Sequence, residues 1–197
     1  MGNLIALKRG DGSGVKVMIA AHMDEIGLMV THVTENGFLR FTGIGGIYPQ
    51  TLAGNRVQFA DGTIGVIYTE KLESRNQLHG LDKHYIDVGA TSRDDCPVGV
   101  GDAAMFLRSL EVQGDFLNAK SMDDRIGCVV AIETLQRLDE TPHDVYFVFS
   151  VQEEVGTRGA QAAANGLEPQ VGIALDVTLC GDTPEAATMA VALRSGP

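Results

Sequence analysis

A short apolar segment that ends in two adjacent carboxylates sets the strictest limits on how this chain folds. Residues Val145–Val151 are apolar almost without alternation and rich in β-branched and aromatic types, which predicts a strand buried on both faces. Glu153 and Glu154 follow, and the Gly- and Ala-rich stretch 156–164 predicts a turn that opens into a helix. Open α/β sheets place their ligand sites at such strand ends. A solvated loop after a strand is the alternative for an isolated pair of glutamates.

Two other predicted strands end in the same way. Val15–Ala21 leads to His22 and Asp24, and Val171–Leu175 leads to Asp176. Because His22 and Asp24 are two residues apart, their side chains leave one face of an extended segment. This arrangement suits a metal-binding imidazole whose second N–H is held by a carboxylate. A lone histidine at a strand end is more often structural.

The clearest helix is predicted over Ser121–Leu138, where one broad face is apolar. That face comprises Ile126, Val129, Val130, Ile132, Leu135 and Leu138. Asp123 and Asp124 lie in the first turn. Taken alone, these two carboxylates are explained by helix capping and by the favourable helix dipole.

The N-terminal part predicts strands joined by tight turns. Asn3–Lys8 and Val15–Ala21 are connected by a Gly-rich turn of the hairpin type, and Ile26–Val33 and Gly37–Thr42 flank an Asn-Gly turn. Near the C-terminus, 189–193 predicts one more strand.

Between residues 43 and 116 the strands are short and Gly and Pro are frequent. This pattern predicts a small β-barrel or sandwich inserted into the α/β domain, with a hairpin about Asp61-Gly62. His79 and His84 are predicted to be surface residues there.

Charge and cysteine usage narrow the class of protein. The 197 residues carry a net charge of −11 without a basic run, which argues against nucleic acid and anionic membranes as partners. Cys96, Cys128 and Cys180 are widely spaced, so a reducing compartment is expected. No signal peptide or apolar run of about 18 residues is present. A cytoplasmic location is therefore predicted.

The strand ends and the helix start predict one metal site, because the carboxyl edge of a single sheet brings them together. An oxygen-rich set with one imidazole suits two ions of Zn, Co or Mn bridged by a carboxylate. Such a pair shares a hydroxide and polarises a carbonyl. A further carboxylate takes the proton from that water. Glu153 and Glu154 supply one ligand and one base, since neighbouring side chains on extended backbone point in opposite directions.

Four segments together resemble the tetrahedral (glutamyl and deblocking) aminopeptidase family of dinuclear metallopeptidases. They are AHMDEIGLMV at 21–30, SMDDRIG at 121–127, QEEVGTRGA at 152–160 and ALDVT at 174–178. Within the inserted part, FTGIGG at 41–46 and YIDVGA at 85–90 are also similar. The resemblance implies an α/β fold: a mixed-sheet, zinc-peptidase-like α/β/α domain formed by 1–42 and 117–197. Residues 43–116 would form an inserted small β-barrel domain for oligomerisation.

The resemblance also implies roles for individual residues. His22 and Asp176 bind one divalent metal, Glu154 binds the other, and Asp123 bridges the two. Glu153 is the general base, and Asp24 is the carboxylate that holds His22. A cis peptide between Asp123 and Asp124 is expected as well.

By the same resemblance the protein hydrolyses N-terminal residues from peptides and assembles into homo-oligomers, from dimers to dodecamers. Family members extend further at both ends, and their C-terminal part supplies a second histidine ligand. We therefore expect this chain alone to retain at most one tight metal and little activity. The alternatives are a catalytically inactive oligomerisation module and a related dinuclear deacylase or carboxypeptidase.

Overall fold

The computed structural model describes residues 2–71, 79–186, 191–193 and 195. The strand predicted over 189–193 includes two residues outside this part of the chain. The described elements are β1 (Leu4–Lys8), β2 (Lys16–His22), β3 (Gly27–Val33), β4 (Leu39–Ile44), β5 (Arg56–Phe59), β6 (Ile64–Thr69), β7 (His84–Asp87), β8 (Ala103–Phe106), β9 (Glu111–Gln113), β10 (Phe116–Asn118), α1 (Met122–Arg137), β11 (Asp144–Ser150), α2 (Arg158–Leu167) and β12 (Val171–Ala174), with short 3-10 turns at Pro49–Thr51 and Leu81–Lys83.

The first compact unit comprises Met1–Met23, Met122–Glu153 and Thr157–Pro197. Its sheet has four strands in the order β1-β11-β2-β12. Strand β11 pairs antiparallel with β1 and parallel with β2, which in turn pairs parallel with β12. The sheet is therefore mixed, and the carboxyl ends of β2, β11 and β12 share one edge.

The predicted hairpin between β1 and β2 is wrong. Both strands pair with β11, which lies between them. The physical reason is that β11 is apolar on both faces, with Phe147 and Val148 almost inaccessible. A strand of this kind gains most from an interior position.

Helices cover both faces of the sheet, as the α/β/α prediction requires. Cys128 and Ala131 of α1 pack in one core with Phe147 and Phe149. On the other face, Ala163 of α2 packs with Met18 and Val148. No helix among the described residues is both long and apolar enough to cross a membrane.

The face of α1 that contacts the sheet agrees only in part with the predicted one. Its most buried apolar side chains belong to Cys128 and Ala131, whereas four of the six predicted apolar positions are 40–50% exposed: Ile126, Val129, Val130 and Ile132. Small residues allow the helix to approach the sheet closely. Leu135 and Leu138 of the predicted face do pack against this core, so hydrophobicity alone identifies only part of the side that contacts the sheet.

The second unit comprises Asp24–Ser121 and Glu154–Gly156. It contains a closed barrel in the order β3-β4-β7-β6-β5-β8, and β9 pairs with β10 in a separate hairpin. The predicted hairpins about Asn36-Gly37 and Asp61-Gly62 are confirmed. Fully buried apolar side chains fill the barrel: Leu28, Leu39, Val57, Ile67 and Ile86.

The barrel unit begins earlier than the expected boundary at residue 43. Strands β3 and β4 close the barrel by pairing with β8 and β7, so the unit extends from Asp24 to Ser121. His84, predicted at the surface, is 3% exposed. Its Nδ1 lies 2.9 Å from the Gly80 carbonyl oxygen, which satisfies the ring inside the protein.

Candidate metal centre

His22 lies at the carboxyl end of β2 and is buried. Strands β2 and β11 are parallel and in register, with Ser150 opposite His22, so the segment that follows β11 passes beside the imidazole. Nε2 of His22 lies 2.9 Å from Oδ1 of Asp123 and 3.9 Å from Oε2 of Glu153. Three of the predicted site residues therefore meet within the first unit.

Both backbone groups of His22, the N–H and the carbonyl, form hydrogen bonds with the first turns of α1. Its N–H donates to Oδ2 of Asp124 at 3.2 Å, and its carbonyl accepts the Cys128 thiol at 3.1 Å. The other carboxylate oxygen of Asp124 accepts the Gly127 N–H at 3.1 Å. Asp123 and Asp124 have non-helical backbone angles, so regular helix begins after them. Asp124 thus caps the helix, which is the alternative that the sequence offered for this carboxylate. It also fixes the backbone of His22.

The electrostatics of this cluster favour a cation. One ligand atom each of His22, Asp124 and Asp176 lie within 4.8 Å of one another. Burial raises the pKa of Asp124, the N–H groups of His22 and Gly127 oppose that shift, and the negative charge of Asp176 adds to it. Burial raises the pKa of the Cys128 thiol, and the charge of Asp124 adds to that shift.

Glu153 is held in a loop closed by three backbone hydrogen bonds. The carbonyls of Val151, Gln152 and Glu153 accept the N–H groups of Gly159, Arg158 and Thr157 at 3.0, 3.0 and 2.8 Å. Gln152 has a φ of 62°, in the left-handed region that non-glycine residues rarely adopt. The loop fixes the backbone of Glu153, whose side chain is 30% exposed.

Asp24 and Glu154 belong to the second unit. The amide of Glu154 donates to Oδ2 of Asp24 at 3.2 Å. A Cβ on Gly45 would lie 3.0 Å from the Cβ of Glu154, and Gly45 has a φ of 77°. Gly45 therefore packs closely against Glu154 within this unit. The roles expected of Asp24 toward His22 and of Glu154 as a ligand stay predictions.

The donor set fits a divalent metal. It combines one imidazole nitrogen with carboxylate oxygens, which suits Zn, Co or Mn. The expected cis peptide between Asp123 and Asp124 is present.

The residues that sequence reasoning missed are those that fix the ligands. The sequence alone predicts Asp124 as a candidate ligand or a helix cap, and it gives Cys128 no part in the site. The glycine three residues after Asp124 is the one local sign of a buried carboxylate, because a Cβ there would lie 2.4 Å from Oδ1 of Asp124.

Comparisons with known proteins find relatives along the whole chain. A family model described as M42 glutamyl aminopeptidase matches residues 2–197. A protein of Acetivibrio thermocellus that is provisionally named an aminopeptidase is 48% identical over 200 residues, which cover 100% of this chain and 60% of that protein.

Solved structures show the same fold. Aminopeptidase APDkam598 from the archaeon Desulfurococcus kamchatkensis matches with a TM-score of 0.87 and 40% identity, over 95% of this chain and 54% of that one. The TET1 peptidase of Pyrococcus horikoshii, described as able to assemble into a tetrahedron or a large octahedral shell, matches with a TM-score of 0.79 and 34% identity, over 93% and 60%. The chain spans 54–60% of the length of these three relatives.

Proposed function

The chain belongs to the M42 glutamyl aminopeptidase family, and from this premise we propose that it forms part of a metal-dependent aminopeptidase. The family expected from the four sequence segments is confirmed. The activity, the substrates and the metal belong to the proposal. Its main support is the meeting of His22 with the carboxylates of Asp123, Asp124 and Asp176 at one sheet edge.

We assign His22 and Asp176 to one divalent ion, Glu154 to a second, and Asp123 to the bridge. Asp124 is assigned to holding the His22 backbone, because its two carboxylate oxygens already accept two buried N–H groups. Bound ions of Zn, Co or Mn would supply Lewis acidity toward a peptide carbonyl and lower the pKa of a water.

Glu153 is the proposed general base. Its Oε2 lies 3.9 Å from Nε2 of His22, and the closed loop from Val151 to Gly159 fixes its backbone. From this position the carboxylate can take a proton from the attacking water and return it to the leaving amine. The substrate class is peptides with a free N-terminus, and the preferred first residue is left open.

Metal binding is tested by titrating the metal-free chain with Co²⁺ and following its visible absorption. His22→Ala and Asp176→Asn should each weaken or abolish the first binding event, since each removes a ligand. His32→Ala is the matched control, because His32 is an exposed histidine on β3. Equal Co²⁺ affinity in the parent and the His22 and Asp176 variants would refute the assigned ligands.

Hydrolysis is tested with amino-acid anilides. The metal-loaded chain is expected to release amino acids slowly, and Glu153→Gln should lower the rate by roughly 10²–10⁴-fold, the usual contribution of a general base. Glu140→Gln, at an exposed position of the same unit, is the control. Identical rates for the parent and Glu153→Gln would show that Glu153 is not the base.

We also propose that the protein forms a homo-oligomer through its barrel unit. The support is the closed barrel together with the assembly described for the Pyrococcus horikoshii peptidase. The proposed cytoplasmic location is supported by three free cysteines, Cys96, Cys128 and Cys180. Light scattering at several concentrations tests the assembly, and a constant mass of 21.0 kDa would exclude it.

A further inference from the structure

Glu25 joins two parts of the second unit that are far apart in the chain. Its Oε1 accepts a hydrogen bond from the Lys120 ammonium at 3.1 Å, and its Oε2 accepts one from the Ser121 hydroxyl. The Glu25 and Lys120 side chains are only 22% and 24% exposed. This ion pair is therefore shielded from water and less screened than one at the open surface.

Ser121 adopts a backbone conformation that needs such support. Its φ is 61°, in the left-handed region that non-glycine residues rarely adopt. Strained conformations of this kind persist where surrounding contacts determine them. The bond to Glu25 is one such contact. Lys120 is fixed from a second side, since its Nζ lies 3.0 Å from Sδ of Met105.

The two joined segments are the ones that lead to the proposed metal ligands. Glu25 lies three residues after His22, and Ser121 lies two residues before Asp123. Nε2 of His22 and Oδ1 of Asp123 are 2.9 Å apart. A small displacement of the 120–121 backbone would be passed directly to Asp123 through two peptide units.

We propose that Glu25 is a positioning residue for the metal centre. By holding Lys120 and Ser121, its carboxylate fixes the backbone that presents Asp123 beside His22. The inference rests on the proposed function for the identity of the ligands, but the predicted effect of Glu25 on the backbone does not depend on a metal.

Two measurements test this on the full 197-residue chain. The first is Co²⁺ affinity, obtained with a competing chelator and the visible absorption spectrum. Glu25→Ala should weaken binding about 10–100-fold, the range found when residues supporting metal ligands are lost. Glu25→Gln, which keeps an acceptor for Ser121 but loses the charge facing Lys120, should fall between Glu25→Ala and the parent. Glu35→Ala, at an exposed glutamate in the β3–β4 turn, is the matched control.

The second measurement is amide hydrogen exchange of the metal-free chain. Glu25→Ala should accelerate exchange over 120–125 and leave the barrel strands unchanged. Ser121→Gly tolerates the left-handed backbone, whereas Ser121→Ala keeps the strain and loses the hydroxyl. Ser121→Ala should therefore accelerate exchange more than Ser121→Gly.

The outcomes separate the two proposals. A parent chain that binds no Co²⁺ would overturn the metal site, and hydrogen exchange would still decide the role of Glu25. If Glu25→Ala leaves the amide hydrogen exchange of 120–125 unchanged, Glu25 is not a positioning residue. The same conclusion follows if the parent chain binds Co²⁺ and Glu25→Ala binds it with equal affinity. If Glu25→Ala does not fold, the same two measurements are made on Glu25→Gln, Ser121→Ala and Ser121→Gly. Unchanged hydrogen exchange over 120–125 in these variants overturns the role of Glu25.

Discussion

Replacing Gly127 by alanine should destabilise the protein, although alanine is the better helix former. A Cβ at Gly127 would lie 2.4 Å from Oδ1 and 2.5 Å from Oδ2 of Asp124, closer than non-bonded atoms allow. Asp124 is completely buried and accepts the N–H groups of both His22 and Gly127. The carboxylate therefore has no free space into which it could move without losing these bonds.

The size of the effect follows from two opposing contributions. Hydrogen bonds to a charged group contribute roughly 1.5–3 kcal/mol each, so losing both costs about 3–6 kcal/mol. Exchanging Gly for Ala in a helix returns about 1 kcal/mol. The net loss of about 2–5 kcal/mol should lower the melting temperature by roughly 4–20 °C in a chain of this size.

Gly166 provides the matched control, because among the described residues a Cβ there would meet no heavy atom within 4 Å apart from its chain neighbours and its own helix backbone. Gly166→Ala in α2 should raise stability by up to about 1 kcal/mol, so the two substitutions should have opposite signs. Urea unfolding followed by circular dichroism measures both on the metal-free chain. A Gly127→Ala variant as stable as the parent would refute the claim that Asp124 is immobile.

Two other predictions concern the fold. Phe147→Ala, at a fully buried position of β11, should cost about 3–5 kcal/mol, whereas Leu4→Ala, which is 61% exposed, should cost far less in the same unfolding assay. The hydrogen bonds from the Thr91 hydroxyl and the Ser92 N–H lower the pKa of Asp95 from 3.8 to about 2. The folded state therefore favours the charged carboxylate. Its stabilising contribution is present above pH 3.8 and is lost as the pH falls toward 2. Asp95→Asn should remove this part of the pH dependence, and identical acid unfolding curves would contradict the reasoning.

Much of the fold follows from local patterns in the sequence. The apolar run at Val145–Val151 predicted an interior strand, and the Asn36-Gly37 and Asp61-Gly62 turns predicted two hairpins that the structure contains. These features succeed because the turn residues themselves set the turn geometry, and because a strand buried on both faces must be apolar along its length. The strand that pairs with β1 could not be predicted in this way. Strand β1 pairs with β11, more than a hundred residues later in the chain.

The side of a helix that faces the sheet is also set by its neighbours. On α1 the small residues Cys128 and Ala131 are buried while Val129 and Val130 remain about half exposed. Counting apolar residues selects the larger side chains, whereas close packing against Phe147 and Phe149 requires small ones. The buried carboxylate of Asp124 imposes the same requirement at Gly127. A sequence pattern contains no information on the distance between the helix and the sheet or on the space beside a buried carboxylate.

Both acidic pairs of the candidate site follow a non-glycine residue in the left-handed region. Ser121, with a φ of 61°, lies two residues before the pair that starts at Asp123, and Gln152, with a φ of 62°, directly precedes Glu153 and Glu154. A strand cannot continue through such a residue, so the chain changes direction just before each pair. Serine and glutamine do not favour this conformation, and the sequence gives no sign of it. Surrounding contacts must therefore maintain it, namely Glu25 at Ser121 and the closed loop at Gln152. The placement of the carboxylates thus depends on residues that would never contact a metal.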